Sequence, residues 1–537
     1  MLAVIIAAVF GRSLGNGFTY DEPLVIVQAQ GFLRSTDYWA LVTKHYFAAT
    51  LEGTWRPFCT LTYMLDALAF APATFKAQSI LWHVGAAWLV AALARRLLPE
   101  AQRRCALAAG LVFALHPVVT ETVDNASFRE DSLVTFWTLA TILVALRGRR
   151  GAALVAFALG LLSKESALVA PLLLVLARQV RPFPALMPAG PPPDAPPAPR
   201  SPAVALAREL WPYVVIAVAY LCIRFGPMKT AGQYALYPGG SFAASLLGMP
   251  VVWAHYLRLL VWPWPLCADY TGYFPFGHVR PATLVVSWAV VLGFVALLAL
   301  AARRGQKVVA YGLAWFAITL GPVSNLIPLP VPAAERFLTL PLVGIALAVA
   351  GGAGVLSQRL PRAAWRATVA AGLAVLGVFA VIVNVRHDAW HDDGRLWLNT
   401  VAVNPRACGA QSAIGGKLLS RGIEERSLPL LRDAVAHQEL ALRLCADNTN
   451  AQRAAMIYTR LGAGEAMLSH LAPARVSLER ALSLSPRSAL AVVWLGYVHF
   501  LSGDKEGAAR LLQRAVLDLG PPDWNVAQVA GWYVDKL

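Results

Sequence analysis

The sequence is dominated by apolar runs that are too long for loops and too poor in charge for a water-facing surface. They fall at about residues 77–94, 105–115, 132–146, 152–162, 167–177, 210–225, 284–302, 308–326, 338–356 and 367–385. Inside a bilayer every backbone polar group must be satisfied within its own segment, so such runs are expected as helices. With a first helix at residues 1–10 they predict about eleven spans. That first run is about half the length of a span. It is expected to be the end of a transmembrane helix whose beginning lies outside this chain, since it lacks a clear basic n-region and cleavage site. Composition agrees: 58% of the 537 residues are hydrophobic and 14% are charged, against about 45–50% and about 25% in soluble domains.

The net charge of +16 does not by itself indicate nucleic acid, because much of the Lys and Arg sits in short loops between apolar runs. Arg95, Arg96, Arg103 and Arg104 form one such cluster, and Arg147, Arg149 and Arg150 another. Arg303, Arg304 and Lys307 make a third, and Arg359, Arg362 and Arg366 a fourth. The positive-inside rule places all four in the cytoplasm. Residues 11–76, 116–131, 226–281 and 328–337, a turn around residues 163–165, and everything after Arg386 then face the other side. Residues 242–266 are apolar but interrupted by His255, Arg258 and prolines, and are expected to lie along the outer membrane surface. The Pro-rich stretch at residues 182–208 reads as a cytoplasmic linker. The six cysteines show no CxxC pair. A Cys408–Cys445 disulfide would require that region to be outside the cytosol, and sequence separation gives no geometry for it.

From about residue 389 the chain turns polar. Leu461-Gly462 recurs as Leu495-Gly496, a spacing of 496 − 462 = 34 residues. Ala474 recurs as Ala508, Leu478 as Leu512, and Ala481 as Ala515. This period and residue order are the tetratricopeptide signature. A degenerate third unit is expected between residues 405 and 448, because at least about three units are needed for a stable stack. The predicted architecture is all-α: a polytopic helical bundle over residues 1–386, then a tetratricopeptide-repeat solenoid over residues 389–537. The concave face of such a stack suits an extended polypeptide.

Ionisable residues collect in the outer loops. Asp21 and Glu22 stand in the first, followed by Arg56. The second holds His116, Glu121, Asp124, Arg129, Glu130 and Asp131. Lys164 and Glu165 make a third group, and Glu335 and Arg336 a late one. Each has a plain structural reading. An acidic pair can be solvated, His116-Pro117 can end a helix, Arg129 with Asp131 can be a salt bridge, and Lys164-Glu165 can close a helix. Their collection at one membrane face favours chemistry on a donor embedded in the bilayer. A lipid-phosphate-linked sugar fits. A carboxylate base would take the proton of an attacking hydroxyl, while Arg and Lys would stabilise the departing phosphate.

The segments "FTYDEPLVI", "WRPFCTLTYMLD", "LWHVGAAWL", "FALHPVVTETVDNASFREDSL", "LLSKESALVAPLLL" and "AERFLTLP" occur in this order ahead of the repeats. The chain thereby resembles the transmembrane and tetratricopeptide-repeat-containing O-mannosyltransferases of the C-type glycosyltransferase superfamily. The resemblance implies inverting transfer from a polyprenyl- or dolichyl-phosphate sugar, with an acidic residue of the first outer loop as base. The family often has Asp-Asp where this chain has Asp21-Glu22, which favours Asp21. The resemblance assigns Asp21, Glu22, Glu121 and Asp131 to catalysis. It assigns Arg56, His116, Arg129, Lys164, Glu165, Glu335 and Arg336 to the donor phosphate or substrate.

The function expected is therefore transfer of a hexose, such as mannose, to a hydroxyl on an acceptor protein held by the repeats, on the extracytoplasmic face. No metal-ligand spacing is present, although acidic residues at a phosphate site can bind Mg²⁺ or Mn²⁺. Ala- and Arg-rich usage points to a bacterial inner membrane with a periplasmic site, the alternative being the endoplasmic reticulum. The partners expected are the lipid-linked sugar, membrane lipid and a polypeptide, with no nucleic acid. The rival readings are a non-enzymatic repeat scaffold and a lipid-carrier transporter. A scaffold needs no clustered outer-face acids, and a transporter would place its charges mid-span rather than at span ends.

Overall fold

A computed structural model describes residues 1–50, 52–180, 202–229, 237–445 and 451–517. Its regular elements are all helical. Six helices are long and apolar enough to cross a membrane: Pro72–Leu97, Leu206–Phe225, Phe242–Val261, Pro281–Arg303, Glu335–Arg359 and Arg362–Ala389. The count becomes seven if Glu100–Leu115 and Pro117–Asp124, bent by 49°, form one span. Hydropathy had suggested about eleven. The difference lies in runs that fold into shorter apolar helices, such as Arg150–Ser163 and Lys307–Val323. It lies also in the helix Arg129–Ala145, whose first turn is charged. Residues 242–266, expected along the surface, contain the helix Phe242–Val261, which qualifies as a span by length and composition. Most of the Pro-rich linker lies outside the described residues, and its end falls in the helix Pro202–Phe225.

Burial orders the bundle. Glu335–Arg359 is central, with 67% of its apolar window buried, whereas Leu206–Phe225 and Arg362–Ala389 are peripheral, with 11% each. The peripheral helices turn Val214, Val218, Val369, Leu373 and Val381 outward, the surface that lipid solvates. The centre is tight because the helices Lys307–Leu320 and Thr339–Arg359 cross at Gly312 and Gly344, where a Cβ on either would run into the other's carbonyl oxygen. Small residues let membrane helices approach to backbone contact. At one end of the bundle the Arg-bearing loops meet. Arg96 Nη2 donates to the Leu146 carbonyl at 3.1 Å, and Gln102 Nε2 to Gln358 Oε1 at 3.0 Å.

After Ala389 the chain enters a short helix, Asp393–Val403. Asp392 starts it by accepting from the Gly394 and Arg395 amides at 2.8 and 3.0 Å, which satisfies amides that a helix N-terminus leaves free. Antiparallel hairpins follow: Cys408–Glu424 with Leu428–Cys445, Ala451–Met467 with Leu471–Leu484, and Ala489–Leu501 with Lys505–Leu517. Leu461, Ala474, Leu478, Ala481, Leu495, Ala508, Leu512 and Ala515 are all buried, as packing positions of the repeat require. Cys408 and Cys445 close the first hairpin with a disulfide, their Cα atoms 5.7 Å apart.

The Gly312–Gly344 crossing gives a direct test. Gly344→Val places a branched side chain where two backbones touch, and overpacking of this kind costs about 1–3 kcal/mol. The purified variant should unfold at lower temperature, while Gly352→Val, which meets nothing within 4 Å, should not.

Candidate functional site

The end of the bundle away from the Arg-bearing loops carries the segments expected to lie outside the membrane, and there the Asp21-Glu22 pair is divided. Glu22 is fully buried. Lys76 Nζ, also fully buried, donates to its two oxygens at 2.6 and 2.8 Å. The Thr19 amide donates to Oε2 at 2.8 Å and the Ala126 amide to Oε1 at 2.6 Å. Glu22 thus ties its own loop to the helix Pro72–Leu97 and to the segment around Ala126.

Asp21 has the opposite environment. It is exposed, and among the described residues no hydrogen bond or ion pair holds its side chain. Protein nevertheless surrounds it closely enough that burial pushes its carboxyl up to about 6. Arg336 and Arg453 oppose that rise, and Glu130 and Glu121 add to it. Solvent reaches this acid inside a crowded recess, and its charge is not cancelled by a contact partner. The residue before it, Tyr20, has φ +60°. A left-handed backbone at a bulky residue costs on the order of 1–3 kcal/mol and persists only where neighbours enforce it.

Around Asp21 the other expected residues form two linked groups. Arg336 donates from its backbone amide to Glu121 Oε2 at 2.7 Å and from Nη1 to Oε1. Its guanidinium lies 4.0 Å from the Phe128 ring centroid. Behind Phe337, Lys164 Nζ donates to the two Asp131 oxygens at 2.6 Å each and stands 3.8 Å from Glu130. Arg56 Nη1 donates to Glu130 at 2.8 Å and reaches Glu165 at 4.0 Å. Phe337 separates the groups, 5.3 Å from Arg336 and 5.7 Å from Lys164. Glu121, Asp131, Arg56, Lys164, Glu165 and Arg336 therefore line one charged layer with Asp21.

The remaining residues serve the fold. Arg129 is fully buried. It donates to Ser79 Oγ at 3.1 Å, Thr62 Oγ1 at 2.9 Å, the Phe75 carbonyl at 2.7 Å and Gln78, and pairs with Asp66 at 2.6 Å. His116 stands at the bend between helices. Its Nδ1 accepts from the Val118 amide at 3.3 Å, and its Nε2 lies 3.1 Å from the Leu260 carbonyl. Glu335, also fully buried, accepts from the Cys267 amide and from Tyr270 Oη at 3.0 Å, and stands 3.6 Å from Arg386. These three side chains, like Glu22, are enclosed by protein partners rather than turned to the recess.

Sequence reasoning passed over several members of the layer. Glu52 accepts from Tyr46 Oη at 2.6 Å, and burial pushes its carboxyl up to about 7. Asp269 is buried in the long outer loop and accepts from the Thr271 amide at 2.8 Å. Arg453 comes from the second repeat hairpin and donates to Thr271 Oγ1 at 3.3 Å. Its position could not be read from the sequence, because the repeat pattern identifies packing residues and not the face that meets the membrane domain. Among the described residues no three His, Cys, Asp or Glu side chains converge to hold a metal ion.

No protein-family model matches the chain. Curated relatives do. It is 34% identical over 186 residues to the protein O-mannosyl-transferase Tmtc2 of Drosophila melanogaster, covering 31% of this chain and 20% of that protein. It is 24% identical over 485 residues to the protein O-mannosyl-transferase TMTC4 of Homo sapiens, covering 77% of this chain and 62% of that protein. The chain thus spans less than two thirds of the length of each. These homologues are the family that the sequence motifs resemble. Among solved structures, that of the APC/C hetero-tetramer Cut9-Hcn1 aligns over 94% of this chain and 98% of its own. Its TM-score of 0.24 and 11% identity are too low to carry an argument.

The Glu22–Lys76 contact yields a prediction that separates fold from chemistry. Removing one partner of a buried ion pair costs about 3–5 kcal/mol, because the other charge is left unpaired. Glu22→Gln should lower the unfolding temperature sharply. Glu22→Gln with Lys76→Met, which removes both charges, should recover part of the loss.

Proposed function

We propose that this chain is a membrane glycosyltransferase. It would move a hexose from a polyprenyl- or dolichyl-phosphate sugar to a hydroxyl of a protein acceptor, with inversion at the anomeric carbon. The observation that carries this reading is Asp21: an exposed carboxylate, unpaired among the described residues, in a crowded setting at the end of the bundle away from the Arg-bearing loops, beside a layer of buried and half-buried cations and acids. The relatives' names support mannose as the sugar.

In this mechanism the acceptor oxygen attacks the anomeric carbon from the face opposite the phosphate. The new carbon–oxygen bond forms as the bond to the lipid phosphate breaks, and the hydroxyl proton passes to Asp21. A hydroxyl is barely ionised at neutral pH, so a positioned base is worth about 10²–10⁴-fold. Charge develops on the departing phosphate, where Arg336, Lys164 and Arg56 supply positive groups. Glu121, Asp131 and Glu165 hold those cations in place through the contacts described above. Of the acids assigned to catalysis from the resemblance, only Asp21 is proposed to take the proton.

The site is proposed to be extracytoplasmic. The four Arg clusters face the cytoplasm under the positive-inside rule, and the repeats dock at the end that carries Asp21. The Cys408–Cys445 disulfide supports the same side, since disulfides persist in oxidising compartments. In protein recovered from cells under acid quench, these two cysteines should resist alkylation until reduced. Free alkylation of both would place the repeats in a reducing compartment and overturn the orientation.

Asp21→Asn keeps size and polarity but cannot accept the proton. Transfer should fall by about 10²–10⁴-fold while binding of a polyprenyl-phosphate hexose stays unchanged. The pH profile follows from the same group. Its carboxyl titrates at about 6, and only the deprotonated form is a base. Turnover should therefore rise as pH increases through about 6 and be lost below it. An Asp21→Asn variant with wild-type turnover, or an acid limb unchanged by that substitution, would exclude Asp21 as the base.

A further inference from the structure

We propose that the repeat region takes part in transfer through Asp393, a positioning residue that holds the Tyr20–Asp21 turn in the conformation presenting the Asp21 carboxylate. This rests on the reading of Asp21 as the base.

The turn is gripped from two sides. From inside the membrane domain, Glu22 accepts the Thr19 amide at 2.8 Å and is itself fixed by Lys76 and Ala126. From outside, the Tyr20 amide donates to Asp393 Oδ1 at 2.8 Å across 373 residues of sequence. Asp393 opens the short helix that leads into the repeats. The residues flanking it add a hydrophobic grip. The Tyr20 ring packs against Trp397 at 5.1 Å and Trp390 at 6.4 Å, and against Phe128 at 5.2 Å.

The backbone explains why such a grip is needed. Tyr20 sits at φ +60°, a region that non-glycine residues rarely enter and leave unless held. A left-handed residue reverses the direction of the chain, so it determines where the next side chain emerges. Once the Tyr20 amide is released, the turn relaxes and Asp21 no longer points where it did. Asp393 touches no reacting atom and acts only through this turn.

The same seam carries further contacts. The Gly17 amide donates to the His391 carbonyl at 2.9 Å and Asn16 Nδ2 to the His387 carbonyl at 3.1 Å. Asn404 Nδ2 donates to the carbonyls of Asp269 and Thr271 at 2.9 and 3.0 Å. The end of the long helix Arg362–Ala389 and the start of the repeat region are thus joined to the loops that hold Asn16 and Gly17 and Asp269 and Thr271.

The test uses the full-length protein in lipid nanodiscs, with a polyprenyl-phosphate hexose and a serine- and threonine-rich peptide as probes. A misplacement of about 1 Å at a reacting group costs about 100-fold. Asp393→Ala should lower kcat by about 10- to 100-fold with donor and acceptor KM unchanged. Asp393→Glu keeps the charge but moves the acceptor oxygen by one methylene, and should also lower kcat. Asp393→Asn keeps an oxygen in the same place and should restore turnover to within about threefold of wild type. Amide hydrogen exchange at Tyr20, slow in the wild type and in Asp393→Asn, should quicken in the Ala and Glu variants. An active wild type with unchanged kcat in folded Asp393→Ala or Asp393→Glu would overturn this proposal alone. Unchanged exchange at Tyr20 would do the same. Absence of transfer by the wild type, with every polyprenyl-phosphate hexose tried, would overturn the reading of Asp21 as well.

Discussion

The end of the bundle that carries Asp21 is organised by one buried charge pair, Glu22 with Lys76. Both groups are fully removed from water. An isolated carboxylate in that position would be untenable, and it survives because an ammonium and backbone amides satisfy its oxygens. The amides come from Thr19 and Ala126, which lie in two separate segments, and the ammonium from a long helix. A single carboxylate therefore fixes three segments distant in sequence against one another. Ion pairs of this kind add little net stability, but they tolerate few alternative arrangements of the groups around them.

That arrangement gives two adjacent acids opposite roles. Glu22 points inward and is consumed by the fold. Asp21 points into a solvent-reached recess where crowding raises its proton affinity and, among the described residues, no contact partner neutralises it. A carboxylate that titrates near 6 remains ionised at neutral pH, yet is a stronger base than a fully solvated one. The difference comes from direction and surroundings rather than residue type. The paired cations behind it follow the same logic. Arg336, Lys164 and Arg56 each lie against an acid that orients them.

The repeat region is joined to this recess and not merely tethered to the last long helix. Contacts from Asp393, Asn404 and Arg453 reach the loops that frame Asp21. The helices at the bundle's perimeter, in contrast, present apolar side chains outward and leave the charged layer to the interior and the end that carries Asp21.

The sequence by itself determined the all-α architecture, since long apolar runs in a bilayer leave few other solutions and a 34-residue period specifies paired helices. It also determined the collection of acids and bases in the segments between the apolar runs. The count of spans was less legible. Runs such as 152–162 and 167–177 are apolar throughout, and hydropathy cannot distinguish a short helix packed inside the bundle from one that crosses. Side-chain roles were decided by tertiary structure. Asp21 and Glu22 differ by a methylene in the sequence, and Arg129 looks no less available than Arg336. Burial separates them: Glu22 and Arg129 are surrounded by partners from distant segments, while Asp21 faces the recess and Arg336 flanks it. The part played by Asp393 was likewise invisible, because the strained turn it holds lies 373 residues away and only the packed structure brings the two together.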